Sequence, residues 1–163
     1  HTHIAFVVDA TNEHTLEGQA RKQAFELAMS NRKLTPITLI HDSPHQILLD
    51  NKASLVPCTA FIAYSDHFAG KVLRAALELG IVVPTELSVI GFDSSTYCDT
   101  LKPKLTSLRQ PVQDMAFEAT KHLLSIVRDG QPPAGSGAPT SFIHECRLDI
   151  RESTAPPLQR SSK

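Results

Sequence analysis

Residues 59–95 constrain the fold more than any other stretch, because a strand, a helix and a second strand follow one another there. Ala60–Tyr64 and Leu87–Phe92 are apolar runs of strand length, and such runs are typical of strands covered on both faces. Between them, Ser65-Asp66 can cap a helix that ends at Gly80. Two strands joined through a helix lie parallel, so this stretch predicts a right-handed βαβ unit.

The preceding residues repeat the same alternation of strands and helices. Ile4–Val8 and Pro36–His41 read as strands. A polar loop at residues 9–12 leads to a helix that is capped by Asn12 or Thr15 and runs to about Asn31, and a shorter helix spans residues 43–50. The order β-α-β-α-β-α-β predicts an α/β fold, in which a parallel Rossmann-like sheet carries helices on both faces.

The pattern changes after Asp93. A short strand is predicted over 105–109 and a helix over 113–128. Residues 128–140 are rich in Pro, Gly and Ser and predict a loop or linker. The alternation of residues 141–150 predicts a last strand, and residues 151–163 a polar, frayed tail.

Composition excludes several classes of function. The 163 residues carry 16 Lys and Arg against 17 Asp and Glu, so the net charge of -1 gives no indication of nucleic-acid binding by this segment. No apolar stretch reaches membrane-spanning length, and the first residues enter a strand without a secretory signal, which favours a cytoplasmic protein. Three dispersed cysteines fit reduced thiols, and no Cys-x-x-Cys metal motif is present.

Polar residues follow the carboxyl ends of the two strands in the βαβ unit. Ser65 and Asp66 come after the first strand and Asp93 ends the second. Ligands of open parallel sheets bind beyond these ends, so the three side chains are predicted to share one ligand-binding rim. Arg21, on the first long helix, is by base rate a solvated surface arginine.

Five segments of the chain form a set whose order and spacing are informative: Arg21–Phe25, Tyr64–Asp66, Val83–Asp93, Leu105–Pro111 and Arg147–Thr154. Together they resemble the effector-binding core of the LacI/GalR family of bacterial transcription regulators. Their order and spacing match that family across almost the whole chain.

The resemblance implies a periplasmic-binding-protein-like architecture of type I, in which an effector lies in a cleft between two Rossmann-like subdomains. This chain would cover the C-terminal half of that core. Residues 1–105 would form the C-terminal subdomain, and residues 106–150 a crossover strand, a helix and a terminal strand shared with the missing N-terminal subdomain. The helix after Gln110 would then lack its sheet partner, and residues 151–163 would be a polar tail.

By the same resemblance, Arg21, Ser65, Asp93 and Gln110 correspond to effector contacts. A guanidinium fork can hold two adjacent oxygens, and a carboxylate can accept hydrogen bonds from hydroxyl groups. Ser65 stands where the family usually has Asn, and a serine cannot make the bidentate amide contact. Three aromatic side chains are either walls that stack on a sugar or plain core: Tyr64, Phe68 and Phe92.

The implied function is effector sensing in a LacI-type regulator. A small sugar-like ligand would control DNA binding by a homodimer, through a DNA-binding domain absent from this chain. Such a half-cleft is expected to bind its effector weakly or not at all.

Two other functions remain open. One is a solute receptor of a transport system, which shares this architecture. The other is an enzyme that uses His67 and Cys98, but no nucleophile elbow or Gly-rich phosphate loop supports it. We therefore predict no catalytic residue, metal site or cofactor.

Overall fold

The computed structural model describes residues 1–129 and 141–157, and these residues belong to two compact units. The first unit comprises residues 1–108 together with the residues from 148 onward, and the second comprises residues 109–147. The linker predicted at residues 128–140 lies almost entirely outside the described residues.

In the described residues, six strands form the sheet: β1 (Ile4–Val8), β2 (Ile37–Ile40), β3 (Ala60–Ala63), β4 (Ser88–Asp93), β5 (Thr106–Arg109) and β6 (Arg147–Asp149). Their order is β2-β1-β3-β4-β5-β6, and β1 pairs in parallel with β2 and β3, as β3 does with β4. The predicted α/β fold is therefore confirmed. The last strand is shorter than predicted, because residues 141–146 do not join the ladder.

Five α-helices accompany the strands in residues 1–129 and 141–157: α1 (Ala10–Glu13), α2 (Leu16–Asn31), α3 (Pro44–Ala53), α4 (Asp66–Glu78) and α5 (Val112–Asp129). Hydroxyl side chains cap three of them, with Thr15 accepting from Gly18 N, Ser43 from Gln46 N and Ser65 from Phe68 N. The prediction of a polar loop at residues 9–12 is wrong. Asp9 accepts from the backbone N–H of Asn12, and this cap stabilises the short helix α1.

Successive side chains of β1 point to opposite faces of the sheet and are buried on both, so helices cover both faces. Phe6 and Val8 are buried against Phe25 and Met29 of α2. The intervening side chains of β1 belong to a second, larger core on the other face, with α3 and α4. That core includes Ala5, Val7, Ile47, Leu48, Phe61, Phe68, Val72 and Val89.

Residues after β6 pack against the sheet, so the prediction of a frayed tail is wrong for residues 151–157. Ser153 is fully buried, and its backbone carbonyl accepts from Val89 N at 2.8 Å. Its hydroxyl donates to Val89 O at 2.6 Å and accepts from Thr106 N at 2.9 Å. One serine therefore satisfies polar groups of both β4 and β5.

The second unit contains helix α5, and apolar side chains on this helix are exposed. Val112, Leu123 and Val127 have 63%, 59% and 73% of their surface accessible. The ring of His122 lies 5.7 Å from the ring of Phe142 in an edge-to-face arrangement. This unit thus presents an apolar helix surface that its own described residues leave uncovered.

Residues 1–129 and 141–157 contain neither a membrane-spanning helix nor a cluster of metal ligands. None of the helices there has the length and hydrophobicity that crossing a membrane requires. Nor do these residues bring together three or more His, Cys, Asp or Glu side chains that could hold a metal ion.

Candidate effector site

Arg21 is held at the carboxyl edge of the sheet by three contacts. Its Nη1 donates to the backbone carbonyl of Tyr64 at 2.5 Å, and its Nη2 lies 3.6 Å from Asp93 Oδ1. Its guanidinium carbon lies 3.9 Å from the centre of the Phe92 ring. Because only 19% of the side chain is exposed, the base-rate expectation of a solvated arginine is wrong.

Neighbouring parallel strands bring these contacts together. β3 ends just before Tyr64 and β4 ends at Asp93, and the two strands pair directly. The Phe92 ring supports the flat face of the guanidinium, which leaves its edge directed toward polar partners. Arg21 and Asp93 thus place hydrogen-bond donors beside acceptors, an arrangement that suits a ligand with adjacent hydroxyl groups.

Ser65 begins α4 and has a structural task of its own. Its hydroxyl oxygen accepts from Phe68 N at 3.2 Å, which caps the helix. A hydroxyl that accepts in this way can still donate its hydrogen to a ligand. The structure therefore places Ser65 on the same edge as Arg21 and Asp93, while its contact with an effector stays a prediction.

Asp66 does not share the ligand-facing rim, contrary to the sequence prediction. Only 3% of this residue is exposed, and its Oδ2 accepts from the Ser95 backbone N–H at 2.8 Å and the Ser95 hydroxyl at 3.1 Å. Its Oδ1 accepts from the hydroxyl of Ser107 at 2.5 Å. A Cβ on Gly91 would come within 2.4 Å of that same oxygen, so the buried carboxylate explains the glycine in β4.

Gln110, the fourth predicted contact, follows β5 and belongs to the second unit. Its role as an effector contact stays a prediction.

A polar cluster beside Arg21 was missed in the sequence. Asp9 Oδ1 accepts from the backbone and side-chain nitrogens of Asn12, both at 2.8 Å. The Tyr64 hydroxyl donates to Asp9 Oδ2 at 3.0 Å and accepts from Asn12 Nδ2 at 2.7 Å. These bonds tie helix α1 and its cap to the end of β3, where the Tyr64 carbonyl holds Arg21.

The cluster also shifts the protonation of its members. Burial alone would raise the pKa of Asp9, but hydrogen bonds from Asn12 and Tyr64 outweigh it, and the pKa is lowered. Burial, together with the Asp9 carboxylate, raises the pKa of Tyr64. Asp9 is therefore a carboxylate at neutral pH. Asp9 directly follows β1, just as Asp93 ends β4. This position at the carboxyl end of a strand is the sequence signal that predicts a site residue at Asp9.

An apolar groove of about 600 Å³ lies next to Arg21 on the α2 face of the sheet. Apart from Arg21, the residues that line this groove are apolar, so the groove offers few hydrogen-bond partners to the hydroxyl groups of a ligand. The polar edge formed by Arg21 and Asp93 is the better candidate for a polar ligand. Other residues that line the groove are Phe6, Ala20, Ala24, Phe25, Ala28, Ile62, Ile90, Gly91, Phe92, Leu108 and Leu148.

Cys98 is poorly suited to be a nucleophile. Its side chain is fully buried, and burial, assisted by the nearby Asp66 carboxylate, raises the pKa of the Cys98 thiol to about 12. The thiolate is the reactive form of cysteine, so it is scarce here near neutral pH.

We expect the three cysteines to differ in their reactivity toward Ellman's reagent at about pH 8. Cys146 is exposed and should react within minutes, whereas Cys58 and Cys98 are buried and should stay protected in the folded chain. All three should react in denaturant. Rapid modification of Cys98 in the native protein, identified with a variant that carries both Cys58→Ser and Cys146→Ser, would contradict this prediction.

Comparison with known proteins identifies the family. Residues 1–154 match the family described as periplasmic binding protein-like domain. The chain belongs to this family.

Relatives of this periplasmic binding protein-like domain are transcriptional regulators. The chain is 34% identical over 97 residues to the arabinose metabolism transcriptional repressor of Halalkalibacterium halodurans, covering 60% of this chain and 26% of the relative. It is 39% identical over 99 residues to the HTH-type transcriptional regulator MalR of Streptomyces coelicolor, covering 60% and 27%. The matched region therefore spans about a quarter of the length of these relatives.

Solved structures agree with this assignment. A LacI family transcriptional regulator from Enterococcus faecium, solved with bound ribose, superposes with a TM-score of 0.75 at 27% identity. The superposition covers 96% of this chain and 57% of the other. A LacI family transcriptional regulator from Bifidobacterium animalis superposes with a TM-score of 0.80 at 22% identity, covering 96% of this chain and 56% of the other. At this identity the superposition shows a shared fold and no more. The predicted LacI/GalR resemblance is confirmed, and these relatives are transcriptional regulators.

Proposed function

We propose that this chain is the effector-sensing part of a LacI-type transcriptional regulator and binds a sugar or a related polar metabolite. The observation that carries the proposal is the arrangement of Arg21, which is stacked on Phe92 and paired with Asp93 at the carboxyl edge of the sheet. A fixed guanidinium beside a carboxylate can donate to one hydroxyl of a sugar and accept from its neighbour. The ribose bound to the Enterococcus faecium relative supports this ligand class.

The proposed domain organisation is the one that the family resemblance implies. Residues 1–105 form the C-terminal subdomain, residues 106–150 are a crossover strand, a helix and a terminal strand shared with an N-terminal subdomain, and residues 151–163 are a polar tail. The exposed apolar surface of α5 supports a partner outside this chain, because packing of such a surface against another element supplies most of a helix's stability. In the whole protein, the sheet of the N-terminal subdomain covers it.

The remaining parts of the proposal concern the whole protein. It acts in the cytoplasm as a homodimer, and it reaches DNA through a separate domain. It has no catalytic activity, in keeping with the regulators that it resembles.

Effector binding works as a switch only if it discriminates between two arrangements of the subdomains. A ligand that bound the open and closed arrangements equally would shift neither population. With Arg21, Ser65 and Asp93 on one side of the cleft and groups of the N-terminal subdomain on the other, the ligand gains its full set of contacts only when the cleft is closed. Closure then changes how the dimer presents its DNA-binding domains.

We expect a panel of ribose, arabinose, lactose and two nucleobases to contain a ligand that the full-length protein binds. This test panel is titrated calorimetrically into the full-length protein and into the present chain. The chain alone should bind at least about 100-fold more weakly, since it supplies only half of the contacts.

Either of two results would count against the proposal. If the chain alone binds as tightly as the full-length protein, the ligand does not bridge two subdomains. If nothing on the panel binds and operator binding is also insensitive to the panel, the sugar assignment is wrong.

A further inference from the structure

The turn that carries Asp93 has an unusual backbone. Asp93 has a φ of 113° and Ser94 a φ of 50°, although neither residue is a glycine. Residues other than glycine rarely adopt positive φ, and they persist there when the surrounding structure holds them. The position of the Asp93 carboxylate, the candidate effector contact, therefore depends on the contacts that fix Ser94.

Three side chains from other segments hold Ser94, of which only 6% is exposed. The Ser94 backbone N–H donates to Ser107 Oγ at 3.0 Å. The Ser94 hydroxyl donates to Asp149 Oδ2 at 2.7 Å and accepts from Arg151 Nη2 at 3.2 Å. Both the main chain and the side chain of Ser94 are thus fixed.

The partners of Ser94 come from the two strands that connect the units. Ser107 lies in β5, which runs into the second unit at Arg109, and Asp149 ends β6, which returns from that unit at Arg147. Arg151 is also well anchored, because its Nη1 donates to the carbonyl of Leu105 at 2.9 Å. A shift of either strand would therefore change the bonds that hold Ser94.

We propose that Ser94, Asp149 and Arg151 are positioning residues that hold Asp93 in its effector-binding conformation. Through them, the placement of Asp93 depends on β5 and β6. A shift of β5 or β6 that breaks these bonds would release the strained turn, and Asp93 would leave the binding geometry. This inference rests on the proposed function, since it assigns to these residues the control of the same site.

Asp149 and Asp99 provide a matched pair of variants. Both carboxylates contact Arg151, Asp149 Oδ2 at 3.9 Å from Nη2 and Asp99 Oδ1 at 3.0 Å from Nε, but only Asp149 also accepts from Ser94 in the described contacts. In the full-length protein, Asp149→Ala should accelerate amide hydrogen exchange at Ser94 by at least about tenfold. Asp99→Ala should leave that rate within about twofold of the wild type.

Two substitutions at Ser94 distinguish an effect on the placement of Asp93 from an effect on the stability of the fold. Ser94→Ala loses the hydroxyl but keeps the strain of positive φ, so both the melting temperature and the affinity for the panel ligand should fall. Ser94→Gly also loses the hydroxyl, but glycine adopts positive φ without steric cost, so the melting temperature should recover while the affinity stays at least about tenfold lower.

The outcomes distinguish this inference from the proposed function. Equal exchange rates at Ser94 in the Asp149→Ala and Asp99→Ala variants would overturn the inference, and so would full recovery of affinity in Ser94→Gly. If no panel ligand binds, the proposed function falls, and the exchange rates still decide whether Asp149 holds the turn.

Discussion

Replacing Arg21 by alanine is expected to lower the affinity of the full-length protein for its effector by at least about 100-fold, or about 2.7 kcal/mol. Arg21 is already fixed by Tyr64 O, the Phe92 ring and Asp93, so it binds a ligand without a further loss of side-chain entropy. Hydrogen bonds from a charged group contribute about 1.5–3 kcal/mol each. Titration calorimetry with the panel ligand measures the loss.

Two other variants make the Arg21 result specific. Lys22→Ala removes the neighbouring cation, whose Nζ lies 3.3 Å from Glu13 Oε1, and should leave the affinity nearly unchanged. Arg21→Lys keeps the charge but loses the planar fork, so it should bind with an intermediate affinity. If Arg21→Ala binds the ligand like the wild type while remaining folded by circular dichroism, the site is misassigned.

Replacing Asp66 by alanine is expected to lower the free energy of unfolding of the first unit by about 3 kcal/mol. The variant loses the acceptor for the Ser95 N–H, the Ser95 hydroxyl and the Ser107 hydroxyl. Ser107 is fully buried, so its hydroxyl is left without this acceptor inside the fold, and an unsatisfied buried group costs about 1–3 kcal/mol. Urea denaturation followed by circular dichroism measures the change.

Asp99→Ala is the control for Asp66→Ala, because the Asp99 side chain is 57% exposed and pairs with Arg151 at the surface. It should cost less than about 1 kcal/mol. Equal losses in the two variants would show that the Asp66 network does not stabilise the fold.

Several elements could be predicted from the sequence because their causes are local. The strand β3 reads as a continuous apolar run, and it is almost fully buried. Thr15 and Ser65 cap their helices through bonds that span three residues. Helix α5 follows from its amphipathic periodicity, which does not depend on what covers it.

The placement of the site residues could be predicted only in part. The strand-end rule indicated one edge for Ser65 and Asp93, and the family resemblance added Arg21. The same rule failed for Asp66, since the direction of a side chain at the start of a helix depends on which donors surround it. Those donors, Ser95 and Ser107, come from later segments of the chain.

Local patterns in the sequence by themselves determined the α/β class, the order of the strands and of helices α2 to α5, and the hydroxyl caps of α2 to α4, because these depend on neighbouring residues. The tertiary structure decided that Asp9 binds Tyr64, that Ser153 bridges β4 and β5, and that Asp149 and Arg151 hold Ser94. Each of these contacts joins residues far apart in the chain. A single sequence carries no periodic signal for such pairs, so only folding brings them within hydrogen-bonding distance.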